Sequence, residues 1–208
     1  MKIDIENMLP ADIEKKSFEI IGRELGGIAL DPVNEPVIKR VIHTTADFEY
    51  AQNLVFSGDA VSIAKEAIQN GAAIVTDTQM AKAGINKTKL AQFGGEVFCF
   101  MADEDVAQAA VAKGTTRAAV SMEKAAGLKR PLIFAIGNAP TALIRLYELT
   151  EQKEISPLLI VGVPVGFVNV VESKELIMRA GVPYIVARGR KGGSNVAAAI
   201  INAILYQM

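Results

Sequence analysis

Five short apolar runs constrain this chain more than anything else in it: AAIVTD (72–77), EVFCF (96–100), PLIFAIG (131–137), PLLIVGV (157–163) and PYIVARG (183–189). Most of them do not alternate apolar with polar residues, so a strand built from one must be covered on both faces. The stretches between them carry helical periodicity and supply that cover. Helix and buried strand in repeated succession predict an α/β protein: a three-layer α/β/α fold with a parallel sheet of about five strands. The order of the strands stays open at this level.

An N-terminal helical segment precedes the sheet and occupies the first ~45 residues. ADIEKKSFEIIGRELGG sets Ile13, Phe18, Ile20, Ile21 and Leu25 on one apolar stripe and stops at Gly26. NEPVIKRVIHTT then starts a second helix, with Asn34 as the expected N-cap, Pro36 in the first turn and His43 in the last. No repeat, low-complexity run or Pro/Gly/Ser-rich linker interrupts the chain, and 208 residues suit one domain spanning 1–208.

Charge excludes several classes of partner. Lys plus Arg (22) nearly balance Asp plus Glu (23), so no overall field attracts nucleic acid or an anionic membrane, and any anion site must be local. The opening MKIDIENMLPADIEKK has no apolar leader core, and the apolar tail AAAIINAILYQM is too short to span a bilayer. A cytoplasmic protein is expected. Cys99 is the single cysteine and His43 the single histidine, which rules out an intrachain disulfide and an ordinary zinc site.

In a doubly wound sheet ligands bind beyond the carboxyl ends of the strands. Four of the five ends are unusual: TDTQM, GNAPTAL, GVPVGFVNVVESKE and RGRKGGSN. Their glycines, Pro140 and Pro164 shape tight turns, and the helices that follow are expected to aim N–H groups at the rim. RGRKGG gathers Arg188, Arg190 and Lys191, and Arg117 after KGTT adds a further cation, which together suit a ligand rich in carboxylates or phosphates. Neither G-x-G-x-x-G after a first strand nor G-x-x-x-x-G-K-[ST] is present, so the dinucleotide and nucleoside-triphosphate fingerprints are missing.

Taken alone, a lone histidine beside an apolar helix face reads as structural. Two features of His43 favour chemistry instead. The carbonyl end of a helix favours a cation, which suits a proton donor. Arg40, three residues earlier, lies on the same helical face, so one surface would offer a carboxylate clamp beside a group able to deliver a proton.

SFEII (17–21), RVIH (40–43), TTRAA (115–119), IGNAPTAL (136–143), PVGFVNVVESK (164–174) and RGRKGGSN (188–195) occur in an order and spacing that resembles the precorrin-8 methylmutase family of corrin ring synthesis. The resemblance runs from the Ser17 helix to the last helix. It implies an isomerase that moves a methyl group between neighbouring carbons of a polycarboxylate tetrapyrrole. No added cofactor is implied, and any cobalt would be carried by the substrate. It assigns the essential histidine to His43 and substrate contacts to Ser17 and Arg40. It also implies a homodimer with the pocket near the interface. With the basic and strand-end residues added, the expected substrate contacts are Ser17, Arg40, Arg117, Asn138, Gly166, Arg188 and Lys191. Two alternatives stay open: a tetrapyrrole- or anion-binding protein without catalysis, and a nucleotide or sugar-phosphate enzyme.

Overall fold

A computed structural model describes residues 9–208; residues 1–8, which form the first half of the opening segment searched for a leader, lie outside it. The elements run α1 (Pro10–Glu24), α2 (Glu35–Thr45), α3 (Tyr50–Asn53), β1 (Leu54–Phe56), α4 (Ala60–Gln69), β2 (Ala73–Thr76), α5 (Gln79–Gly84), α6 (Lys87–Ala91) and β3 (Val97–Phe98). There follow α7 (Glu104–Lys113), α8 (Arg117–Ala126), β4 (Leu132–Ile136), α9 (Pro140–Glu151), β5 (Leu159–Gly162), α10 (Val170–Ile177), β6 (Tyr184–Ala187) and α11 (Ser194–Leu205).

The five apolar runs become β2 to β6, all mutually parallel where they pair. Among the described residues the sheet has six strands, one more than the five apolar runs, in the order β1-β6-β5-β4-β2-β3. The additional strand, β1, lies antiparallel to β6 at one edge, with Leu54 opposite Ala187. Its three residues leave α3 without an intervening turn and are too few to show any periodicity, which is why sequence pattern misses it.

Alternation along each buried strand divides the core in two. Ile133 and Ala135 of β4 join α2, α4 and α11 on one face. Leu132, Phe134 and Ile136 of the same strand join α8, α9 and α10 on the other. Each fully buried Ile or Phe contributes about 1.5–3 kcal/mol through loss of apolar surface to water, and this two-sided burial makes the unalternating runs strands.

Nine of the twelve residues of α11 are buried, so this helix is apolar nearly all round and lies between the sheet and α2. The N-terminal segment therefore sits outside the helical layer and is not part of it. Within that segment two expectations need correction. Asn34 occupies the N-cap position of α2 without capping it; the Asp31 carboxylate instead accepts the N–H groups of Val33 (2.9 Å) and Asn34 (3.2 Å). The stripe on α1 is fully buried only at Ile21 and Leu25, is half-buried at Phe18 and Ile20, and leaves Ile13 with 51% of its surface exposed.

Candidate active site

Helix α2 runs antiparallel to α11. Glu35 lies beside Gln207 at one end, and Thr44 lies beside Asn195 at the other. The last turn of α2, with His43, is thereby carried to the end of the sheet where the strands finish. Ala46 closes that helix in the left-handed region at φ 53°.

Helix α1 crosses α2 and presents Glu14, Ser17 and Phe18 to it. The imidazole of His43 is exposed and stacks on the ring of Phe18, with centroids 5.3 Å apart and planes 24° from parallel. The Arg40 guanidinium lies 4.9 Å from the same ring centroid and 5.2 Å from that of Tyr206. It also pairs with the Glu14 carboxylate. Ser17 donates its hydroxyl to the Ile13 carbonyl at 2.8 Å. Ser17 and His43 share a hollow of about 220 Å³, also lined by Ile20, Glu24 and Phe48. Ordinary ligand pockets occupy about 300–1,000 Å³.

A second cluster forms where β6 ends. Gly166 donates its N–H to the Arg190 carbonyl (3.1 Å), and Gly193 donates to the Val163 carbonyl (2.8 Å). At Gly192 a Cβ atom would fall 2.0 Å from the Val163 oxygen, so only glycine fits. From below, the ammonium of Lys174, a residue only 1% exposed, donates to the carbonyls of Gly189 (2.8 Å) and Lys191 (2.9 Å). The loop is thus pinned from the β5 side and displays the exposed side chains of Arg188 and Arg190. The Arg190 guanidinium lies 5.3 Å from the ring of Phe167, itself 80% exposed. Lys191 is engaged already: its ammonium pairs with Asp47 (2.5 Å) and Glu49 (3.0 Å) and ties the loop to the chain just after α2.

The end of β4 departs from the expectation drawn from sequence. The carboxylate of fully buried Asp77 accepts N–H bonds from Gly137 (2.9 Å), Asn138 (2.8 Å) and Ala139 (2.6 Å). Burial pushes this carboxyl up, and the three backbone donors act in the opposite direction. The N–H groups of the turn between β4 and α9, just before Pro140, are thus taken by the chain's own carboxylate. Thr78 similarly caps α5 through the Ala81 N–H (3.0 Å) and contacts the Ser194 hydroxyl at 2.7 Å. The side chain of Asn138 is exposed.

Of the residues singled out from sequence, the structure gathers Ser17, Arg40 and His43 in one group and Gly166, Arg188 and Lys191 in another. Arg117 is exposed at the start of α8, among the helices on the opposite face of the sheet. Thr116 beside it bonds to Thr141 of α9 at 2.9 Å. Glu14, Asp77 and Lys174 were not anticipated as parts of the site. Asp77 and Lys174 are charged residues inside strand-end motifs, but their partners lie 60 or more and 15 or more positions away.

Lys174 has a measurable consequence. Among the described residues no carboxylate pairs with it, and burial lowers its pKa from 10.5 to about 8. Below pH 8 the folded protein bears the full cost of a buried ammonium. Between pH 8 and about 10.5 the folded state loses this proton while the unfolded state keeps it, so stability rises with pH across that window. Compared with Lys174→Met, the wild type should gain up to roughly 3 kcal/mol between pH 7 and pH 10, read from urea unfolding midpoints. A constant difference between the two would mean that the ammonium is solvated.

Fold and rim together place the chain among α/β enzymes that work at the carboxyl ends of a parallel sheet. The family profile described as precorrin-8X methylmutase matches residues 12–207. The cobalt-precorrin-8 methylmutase of Salmonella typhimurium is 46% identical over 205 residues, covering 96% of each chain. That of Priestia megaterium is 45% identical over 195 residues, covering 94% of this chain and 87% of the relative. The crystal structure of precorrin-8X methylmutase from Thermus thermophilus superposes with a TM-score of 0.85 at 42% identity, covering 94% of this chain and 96% of that one. The chain belongs to the precorrin-8X methylmutase family. It is an isomerase of the methylmutase type.

Proposed function

We propose that the protein catalyses the methyl migration of corrin ring (cobalamin) biosynthesis, converting precorrin-8, cobalt-bearing or metal-free, into the cobyrinate or hydrogenobyrinate ring system. The observation that carries the residue assignment is the exposed, ring-stacked His43 beside Arg40, in a chain with no other histidine. His43 donates a proton, or a hydrogen bond, to a nitrogen of the macrocycle. Electron density is drawn through the conjugated ring, the methyl leaves one carbon and bonds to its neighbour in the same molecule, and the proton then returns. A shift within one molecule needs no protein nucleophile and no added cofactor; cobalt, where present, belongs to the substrate.

The carboxylates of the tetrapyrrole are held by guanidinium groups. Arg40 exchanges Glu14 for a substrate carboxylate, and Arg188, Arg190 and Arg117 are free to take others, since among the described residues none of these three is in an ion pair. Ser17, Asn138 and the backbone at Gly166 complete the contacts. Lys191, paired with Asp47 and Glu49, contributes less than the arginines.

The working form is a cytoplasmic homodimer whose second copy completes the pocket. Three features support this: the hollow at His43 is small for a tetrapyrrole, Arg117 stands on the far face of the sheet, and apolar Ile13, Phe167 and Val168 are exposed by 51%, 80% and 78%. Among the described residues no helix is long and apolar enough to cross a membrane.

The test is spectroscopic. Purified protein mixed with the metal-free or the cobalt-bearing substrate should change the chromophore with time, and the faster of the two identifies the physiological form. Binding without any change in the spectrum would favour a carrier over an enzyme. Specific activity should also fall as the protein is diluted to monomers; constant activity in a demonstrated monomer would remove the shared pocket.

A further inference from the structure

The two side chains on which the proposed chemistry rests lie on one ring. His43 stacks on Phe18 at 5.3 Å, and the Arg40 guanidinium sits 4.9 Å from the same centroid. We infer that Phe18 is the positioning residue of the site, an aromatic platform that fixes the imidazole and the guanidinium relative to each other. The inference rests on the reading of His43 as proton donor and Arg40 as carboxylate clamp.

Histidine side chains that do chemistry are usually oriented by a hydrogen bond from the second ring nitrogen to a carboxylate or carbonyl. Among the described residues His43 has no such partner, and the one aromatic ring stacked on its exposed imidazole is that of Phe18. The platform itself is well held. Glu14, Phe18, Ile21 and Leu25 share one face of α1 at helical spacing, and the buried Ile21 and Leu25 dock that face. The Glu14 carboxylate reaches over to Arg40 from the turn before Phe18. A cation on an aromatic face is attracted by the ring quadrupole, and an offset-stacked imidazole gains in the same way. Since α1 contributes the platform while α2 contributes both functional groups, the docking of α1 sets the geometry of the site.

The alternative role for Phe18 is apolar filling between two helices, and a leucine there would serve nearly as well. Two variants separate the roles: Phe18→Leu, which keeps apolar bulk, and Phe18→Tyr, which keeps the ring. As the chain has one histidine, the two carbon-bound imidazole protons are readable directly by proton NMR. In the wild type and in Phe18→Tyr they should show the ring-current displacement of a stacked imidazole; in Phe18→Leu they should move to the positions of a free side chain. Phe18→Leu should lower kcat about 3- to 10-fold, the range to which one aromatic pair corresponds, and Phe18→Tyr should restore it. In a His43→Ala background the Leu substitution should lower the residual kcat by a smaller factor than in the wild-type background, as only the guanidinium is left to position. Imidazole resonances that stay in place in Phe18→Leu, an equal loss of kcat in both backgrounds, or equal losses in the Leu and Tyr variants would overturn the inference. Resonances that move as expected alongside full activity of His43→Ala would instead overturn the assignment of His43 and leave the platform standing.

Discussion

His43→Ala should slow conversion of bound substrate at least ~100-fold, the lower end of what a general acid contributes, while the protein folds and binds as before. The dissociation of binding from chemistry follows from where the side chain sits. His43 is exposed, so truncation opens no cavity and leaves no buried donor without a partner. Substitutions of that kind change stability by about 0.5 kcal/mol or less, a shift of at most ~2 °C in Tm for a chain of this length. Arg40, Arg188 and Arg190 remain in place to hold carboxylates. His43→Asn refines the expectation: if proton delivery matters, Asn does no better than Ala, whereas partial recovery would show that a neutral hydrogen bond to the ring nitrogen suffices. Wild-type rates in both variants would leave the shape of the pocket as the whole mechanism.

Gly192→Ala should be the most damaging single-methyl substitution at the strand-end loop. The added Cβ would lie 2.0 Å from the Val163 carbonyl oxygen and 2.9 Å from that of Pro164. Both obstacles are backbone, so the loop must lift away from β5. That movement strains the bond from Gly193 to Val163 and the two bonds from Lys174. Overpacking of this kind costs about 1–3 kcal/mol, and a backbone obstacle puts the loss at the upper end, roughly 6 to 12 °C in Tm. Displacing Arg188 and Arg190 should weaken substrate binding about 10-fold or more, as a charge-assisted hydrogen bond corresponds to about 1.5–3 kcal/mol. Gly189→Ala is the control. Gly189 has φ 76°, but a methyl added there would meet nothing within 4 Å, so its substitution should cost only about 1–2 kcal/mol. Equal behaviour of the two variants would mean that the loop is mobile enough to absorb the contact.

How far each feature was legible in the sequence followed the range of the interaction concerned. The parallel strands were legible because burial on both faces writes itself into consecutive residues, as in LIFAI of β4. The neighbourhood of Arg40 and His43 was legible because it depends only on the repeat of one helix, and α2 is helical through both. The third strand-end motif, by contrast, hid its most consequential residue. Lys174 looks like one more solvated charge in VESKE, and only the fold brings it under the carbonyls of Gly189 and Lys191. Asp77 hid in the same way, being recognisable as the partner of the turn after β4 only once β2 is paired with β4. Phe18 was correctly placed on the apolar face of α1, but periodicity cannot tell a ring that fills a gap from one that carries an imidazole and a guanidinium.

The two outermost strands of the sheet are its shortest: β3 has two residues and β1 three. An exposed row of unpaired N–H and C=O groups is what lets one sheet recruit strands from another molecule, and so short a row offers little to recruit. Association through the sheet edges is therefore disfavoured, and any self-association falls to side-chain surfaces. Concentrated stocks should stay clear of fibrils and of seeding by fragments, even though five of the segments inside are as apolar as those of many amyloid cores.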